Sequence, residues 1–343
     1  MKKFLWLFAA TLGLVVGGLY LGAWPTRLHY IVERHASVPV SGVVYGIGQI
    51  RGSFTAPQPY PVVFTPKGVM PLPEHVASRP LPDITRRVLY GALALEEEIS
   101  IPITLPAGDY EEVTSYFMAK VELAVDIIRR DIPQMFWLSL GPYTVEWSGN
   151  TLTRSGTLNI RLNYRHTTAQ VIGLREQIDE VTQNLLAKAP SDPLQATAFF
   201  HDWIIRNTVY ACYLADGSTP LAGSEHGFNI DGVFLRGSAV CEGYSKALAL
   251  LCDLAGIPNV IVYGVAAGEK HSWNLIYLYG HWYLVDPTWN DPAGAEDMLA
   301  HTFFLLGSQS VVNGQPVHEI FRPDSAQYPP LSRYGFFERR ANN

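Results

Sequence analysis

Hydrophobic and polar positions along the chain fall into several distinct patterns. Phe4–Trp24 (FLWLFAATLGLVVGGLYLGAW) runs for 21 residues without a charge. A helix of that length reaches about 30 Å, the hydrocarbon thickness of a bilayer. Lys2 and Lys3 precede it, which predicts a cytoplasmic N-terminus with the rest of the chain outside. Leu21-Gly22-Ala23 before Trp24-Pro25 fits a small-x-small cleavage site poorly, so residues 1–24 read as an uncleaved anchor in preference to a cleaved signal. Periodicity is then lost over residues 25–82, where Pro57, Pro59, Pro61, Pro66, Pro71, Pro73, Pro80 and Pro82 recur, the pattern of an extended spacer. VVYGIGQIRG (Val43–Gly52) holds a Gly-x-Gly, but neither the third glycine nor a following amphipathic helix matches a dinucleotide loop.

Helical periodicity begins at Asp109. Val113, Phe117, Val121 and Val125 fall on one stripe, with acids leading and arginines closing the segment, which predicts a helix to about Arg130. YTVEW, TLTR and TLNIRLNY alternate like short strands, separated by Ser148-Gly149-Asn150 and Ser155-Gly156. Two more helices follow, over about 168–188 and from Ser191-Asp192-Pro193 to about Asn207. After a glycine-rich connection, a helix is predicted over Glu242–Ala255, stopped by Gly256 and Pro258, with Leu248, Leu251, Cys252 and Ala255 on its apolar face. SWNLIYLY and WYLVD, on either side of Gly280, predict a β-hairpin.

Composition changes this picture little. At 48% hydrophobic and 16% charged, the 343 residues form an ordinary globular chain, not a disordered one. A net charge of -6 gives no basic stripe for nucleic acid. The three cysteines, Cys212, Cys241 and Cys252, form no Cys-x-x-Cys, and the histidines show no zinc-ligand spacing, so neither metal nor cofactor is expected.

Chemistry concentrates around one of those cysteines. Cys252 reads as a small core residue. Cys241 stands at the mouth of the predicted helix, where unpaired N–H groups and the positive dipole end favour a thiolate and offer donors to an oxyanion. A nucleophilic thiol needs a base. With a two-residue Tyr279-Gly280 loop, Leu278 pairs with His281, and His271 and Asp286 fall diagonally on one hairpin face. The carboxylate then orients the imidazole and leaves its other nitrogen for a thiol. His226 and His281 have no such partner. Disulfide exchange would need a resolving cysteine, and only Cys212 is left unassigned.

GVFLRGSAVCEGYSKALALLCDLAGIP, KHSWNLI and WYLVDPTWND together resemble the bacterial branch of the transglutaminase-like superfamily. The resemblance is specific across Gly232–Asp291 and weaker over the preceding helices. It implies an α+β fold with a papain-like core, the nucleophile at a helix N-terminus packed on an antiparallel sheet. That core would occupy residues 191–343, after a helical and β-hairpin part at 83–190, the spacer at 25–82 and an N-terminal transmembrane helix. It also implies Cys241 as nucleophile, His271 as general base and acid, and Asp286 as the orienting carboxylate. Animal crosslinking members often carry Trp after the nucleophile; here Glu242 follows, and no acidic cluster resembles their calcium sites.

The expected activity is amide acyl transfer or hydrolysis on a peptide or protein substrate, possible in the cell envelope, by a single-pass, extracytoplasmic cysteine enzyme. The triad does not choose between water and an amine as acceptor. Trp273 and Trp289, with Tyr244 and His226, are the expected substrate contacts. The alternative is a non-catalytic envelope module that uses the same fold to bind.

Overall fold

A computed structural model of the chain describes residues 28–32, 72–139, 141–211, 225–291, 300–325 and 328–341. The apolar run Phe4–Trp24, the Gly-x-Gly of Val43–Gly52 and Cys212 lie outside these residues, as does the proline-rich stretch up to Pro71. Among the described residues, no helix is long and apolar enough to cross a membrane.

The architecture is α+β. Strand β1 (Leu28–Val32) joins β2 (Ile99–Thr104), β3 (Tyr143–Asn150) and β4 (Ser155–Arg161) in an antiparallel sheet of order β1-β3-β4-β2. Pro102 lies in β2 without breaking the sheet because β2 is an edge strand, where a missing N–H costs no ladder bond. The TLTR segment, expected as a strand, is instead the connection between β3 and β4. Asn150 Oδ1 accepts from the Leu152 and Thr153 amides, and Arg154 has a positive φ of 51°. Local side-chain capping of this kind competes with strand pairing.

Helix α1 (Asp83–Leu93) packs on β2 and on α2 (Tyr110–Asp131), whose Tyr110 and Phe117 rings meet Trp147 of β3, and α3 (Thr168–Lys188) follows β4 in the chain. Strand β2 alternates inward Ile99, Ile101 and Ile103 with outward Ser100, Pro102 and Thr104, and helix α1 buries Thr85, Val88, Leu89 and Ala92 along one face. Helix α2 starts one residue after its expected first residue because Asp109 is its cap. Asp109 accepts from the Glu112 amide, and Glu112 returns a bond to the Asp109 amide, a full capping box. Thr167 and Gln170 do the same for α3.

The second half carries α4 (Pro193–Asn207), the parallel pair β5 (Val209–Tyr210) and β6 (Ser238–Ala239), α5 (Ile230–Arg236) and α6 (Cys241–Leu254). Beyond them, β7 (Asn259–Ala266), β8 (Glu269–Leu278), β9 (His281–Val285) and β10 (Phe304–Leu306) lead through the small pair β11 (Val311–Val312) and β12 (Gln315–Pro316) to β13 (Phe321–Pro323). The large sheet has order β10-β9-β8-β7-β13 and is antiparallel throughout.

Strand β8 is buried on both faces from His271 to Ile276, with the polar His271, Ser272 and Asn274 buried beside its apolar residues. Ser272, Asn274 and Ile276 face α6, where Asn274 Nδ2 donates to the Ser245 carbonyl at 3.0 Å. His271, Trp273 and Leu275 face the other way, and Trp273 and Leu275 join a second core with Val262, Leu284, Val317 and Phe321. Helix α6 is buried from Glu242 to Cys252, and its apolar residues share one continuous core with both sheets and the helices.

Candidate active site

Position 241 is special because of where its helix begins. Val240 is the N-cap of α6 and offers no side-chain cap, while its own amide donates to the Gly227 carbonyl at 2.9 Å. Cys241 is therefore the first helical residue, partly exposed and reduced, at the end where backbone donors point outward. Cys252, one face further in, is buried, and burial pushes its thiol well up from the ordinary value.

The hairpin supplies the partners. Leu278 pairs with His281, so the loop is Tyr279-Gly280, with φ of 48° and 88°. Two positive φ angles make the turn whose twist matches a tight hairpin, and Gly280 accepts one without strain. This register puts His271 and Asp286 on one face, and His271 Nε2 lies 2.7 Å from Asp286 Oδ2. Asp286 is fully buried, and its Oδ1 accepts from the Thr288 and Trp289 amides at 3.0 and 3.1 Å. The carboxylate is thus held from both sides and takes up Nε2 of His271, leaving Nδ1 as the other ring nitrogen, and Cys241 is near enough to act on the charge of the ring.

Electrostatics follow from this geometry. Burial alone would lower the basicity of His271, but the Asp286 charge and hydrogen bond, with a smaller contribution from Cys241, outweigh it and lift the pKa to about 10. At neutral pH the imidazole is therefore a cation. Trp289 stacks on it at 5.1 Å between centroids and 25° between planes, an aromatic face against a cationic ring.

Gly264 is the cross-strand partner of His271. A Cβ there would lie 2.2 Å from the Arg322 carbonyl and 2.9 Å from the Trp273 ring, so β13 could not stay in place. Gly264→Ala is expected to destabilise the fold by about 1–3 kcal/mol, the usual cost of overpacking, read from urea unfolding. An unchanged midpoint would mean the edge strand moves freely.

The other expected contacts are placed differently. Trp273 is only 1% exposed and packs edge-on against Phe321 in the second core, so it backs the imidazole instead of walling a channel. Tyr244 lies one helical turn after Cys241, on the core side; its hydroxyl donates to the Asp291 carboxylate and the Thr208 carbonyl. His226 Nδ1 is bound to the Asp231 carboxylate, to which Arg165 also donates at 3.2 Å, so the guanidinium lies against both. Trp289 alone of the four combines partial exposure with contact to His271. His281 stays at the far end of the hairpin, beside Tyr283.

Glu242, the residue that follows the cysteine, is a structural anchor. Arg129 of α2 donates to it twice, at 3.1 and 2.9 Å, Lys246 lies at 3.0 Å, and Tyr263 donates at 3.2 Å. Burial would raise its pKa, but the Lys246 and Arg129 charges bring it down to about 2. The carboxylate ties α2 to the first turn of α6, a role that residue type and spacing gave no means of anticipating.

Two clusters have metal-like spacing among the described residues, His166–His226–Asp231 and His201–Asp202–His301. In the first, the Arg165 guanidinium already bridges His226 and Asp231, and its positive charge opposes a metal cation. In the second, Asn290 Nδ2 lies 2.9 Å from His201 Nε2, while Asn290 Oδ1 accepts from the Phe303 amide at 2.8 Å. The amide orientation is therefore fixed, Nε2 of His201 accepts, and the ring proton sits on Nδ1 facing Asp202 at 2.9 Å. A metal on Nδ1 would drive that proton towards two amide donors. Neither donor set suits a metal ion.

Residues 179–287 match the model of the transglutaminase-like superfamily, a span that contains Cys241, His271 and Asp286. Kyphoscoliosis peptidase of Mus musculus is 27% identical over 173 residues, which cover 47% of this chain and 25% of that protein. The Homo sapiens counterpart is 27% identical over 150 residues, 40% of this chain and 22% of that protein. The match thus spans about a quarter of the length of these relatives. Among solved structures, a TGase crystal structure is 15% identical with a TM-score of 0.31, covering 56% of this chain and 52% of that one. The periplasmic domain of TgpA from Pseudomonas aeruginosa is 16% identical with a TM-score of 0.26, covering 45% and 72%.

Proposed function

We propose, from a chain that carries a transglutaminase-like domain over residues 179–287, that this domain is a cysteine enzyme acting on amides of a peptide or protein substrate. The observation that carries the reading is the 2.7 Å contact of His271 Nε2 with the buried Asp286 carboxylate, with Cys241 at the start of α6 near enough to act on the charge of the ring.

In this mechanism the Cys241 thiolate attacks the substrate carbonyl. A C–S bond forms and the carbonyl π electrons move to oxygen. The oxyanion is met by the free backbone donors at the start of α6. As the intermediate collapses, the C–N bond breaks and the His271 imidazolium gives its proton to the departing amine. A thioester remains. The neutral imidazole then takes a proton from the incoming acceptor, the acceptor's oxygen or nitrogen bonds to the acyl carbon, and sulfur leaves as thiolate. Asp286 keeps the ring in place and stabilises its charged form throughout. Water as acceptor gives hydrolysis and an amine gives a crosslink. The name of the mouse and human relatives, kyphoscoliosis peptidase, supports water.

The location belongs to the same proposal. The uncharged run Phe4–Trp24 after Lys2 and Lys3 supports a membrane anchor with the domain outside the cytoplasm.

The test is site-resolved alkylation of the full-length chain with iodoacetamide, followed by mass spectrometry across pH. Cys241 is expected to be the faster-reacting thiol at neutral pH, and the buried Cys252 to stay unmodified in the folded protein. His271→Ala should return Cys241 to the behaviour of an ordinary thiol. Equal reactivity at Cys241 with and without His271 would leave a binding module as the better reading.

A further inference from the structure

The turn that carries Asp286 is closed on itself. The Asp286 amide donates to the Phe303 carbonyl at 2.9 Å, the Phe303 amide to Asn290 Oδ1 at 2.8 Å, and the Asn290 amide to the Asp286 carbonyl at 3.2 Å. Because Asp286 Oδ1 is also bound by amides of the same turn, its carboxylate moves with the turn as one body. The distance from Asp286 to His271 is therefore set by what the turn is fastened to.

One fastening reaches the helical layer through a fully buried histidine. His201 of α4 accepts from Asn290 Nδ2 at 2.9 Å and faces Asp202 Oδ1 with its other nitrogen at 2.9 Å. Both ring nitrogens are satisfied, which is what makes a buried imidazole tolerable. The facing groups are Asp202, His301, whose Nε2 lies 2.8 Å from the same Asp202 oxygen, and, further off, Asp286 itself. Burial lowers the basicity of His201, so it stays neutral and Nε2 stays an acceptor. Asn290 is also fully buried, and the bond joins residues 89 positions apart. A leucine at 201 would fill the space and leave the Asn290 amide with an unpaired buried donor.

We propose that His201 is a positioning residue: through Asn290 it holds the turn of residues 286–290 where Asp286 meets His271. The importance of that meeting for turnover rests on the function proposed above, but the positioning itself can be read independently of it.

The experiment is the titration of His271 in the full-length chain, followed by NMR of ring-labelled histidine and assigned with His271→Ala, alongside the pH profile of Cys241 alkylation. In His201→Leu the His271 titration is expected to move down by about one pH unit as the carboxylate is displaced. His201→Gln, whose side-chain oxygen can accept from Asn290, should restore most of it. Asn290→Ala should reproduce the shift without touching His201, and combining it with His201→Leu should add nothing. It also carries the test if His201→Leu does not fold. A wild-type His271 titration in folded His201→Leu or Asn290→Ala would overturn the inference, as would an equal shift in His201→Leu and His201→Gln. A His271 titration that moves as expected, with Cys241 unactivated even in the wild type, would keep the positioning role and overturn the proposed enzymatic function instead.

Discussion

Cys241→Ala is expected to abolish amide turnover, with a fall of at least about 10⁴-fold, the scale seen when the nucleophile of a triad is removed. No other described cysteine can replace it, because Cys252 is buried and its thiol is held neutral. The readout is hydroxamate formed from a library of amide-bearing peptides with hydroxylamine as acceptor, which traps the thioester whichever natural acceptor is used. The variant should keep its fold, since the position is partly exposed at a helix start. Residual turnover within tenfold of wild type would rule out a Cys241 acyl-enzyme.

Asp286→Asn is the second large effect, and its sign follows from the charge it removes. Asn keeps the size of the side chain and its bonds from the Thr288 and Trp289 amides, but no longer holds a proton on His271. The His271 pKa, raised to about 10 with Asp286 in place, should fall, because burial is then weakly opposed. The imidazolium that protonates the leaving amine, and that stabilises the thiolate, is lost at lower pH. Turnover at neutral pH should drop by about 10³–10⁴-fold, as when the carboxylate of a triad is neutralised without changing its shape, and the alkaline limb should move to lower pH. Stability carries the same signature. With the folded pKa above the unfolded value of about 6.5, the His271–Asp286 contribution is fully present below that value and is lost as pH rises through about 10. Urea midpoints of wild type minus Asp286→Asn should therefore be larger near pH 6 and shrink towards pH 10. A difference that grows with pH would show that the pair is not charged in the folded state.

Much of this site was legible because its geometry is local. The Tyr279-Gly280 turn follows from a loop length and one glycine, and alternation along two strands then puts His271 and Asp286 on the same face. Asp109, Thr167 and Asp192 cap their helices by bonds that span three residues, so sequence spacing is enough. The start of α6 is similar: a run of good helix formers ended by Gly256 leaves little freedom in where Cys241 falls.

What stayed hidden depends on contacts between distant segments. The alternation that paired His271 with Asp286 could not say that the same face of β8 would be covered by Phe321 and Val317, which buries Trp273. Tyr244 and His226 lie near Cys241 in sequence, but the packing of α6 on the sheet and the Arg165–Asp231 pair decide that their polar atoms serve the fold. TLTR alternates like a strand, yet the Asn150 side chain and the positive φ of Arg154 turn the chain there.

The sequence by itself determined the hairpin register and the helix-mouth position of the thiol. These depend on periodicity and turn chemistry, which act over a few residues. Only the tertiary structure decided that Glu242 locks α6 to Arg129, that Trp289 covers the imidazole, and that His201 and Asn290 fasten the aspartate's turn. Each of these joins segments far apart in the chain, or depends on which face becomes buried. That is fixed by the packing of the whole core and not by any local pattern.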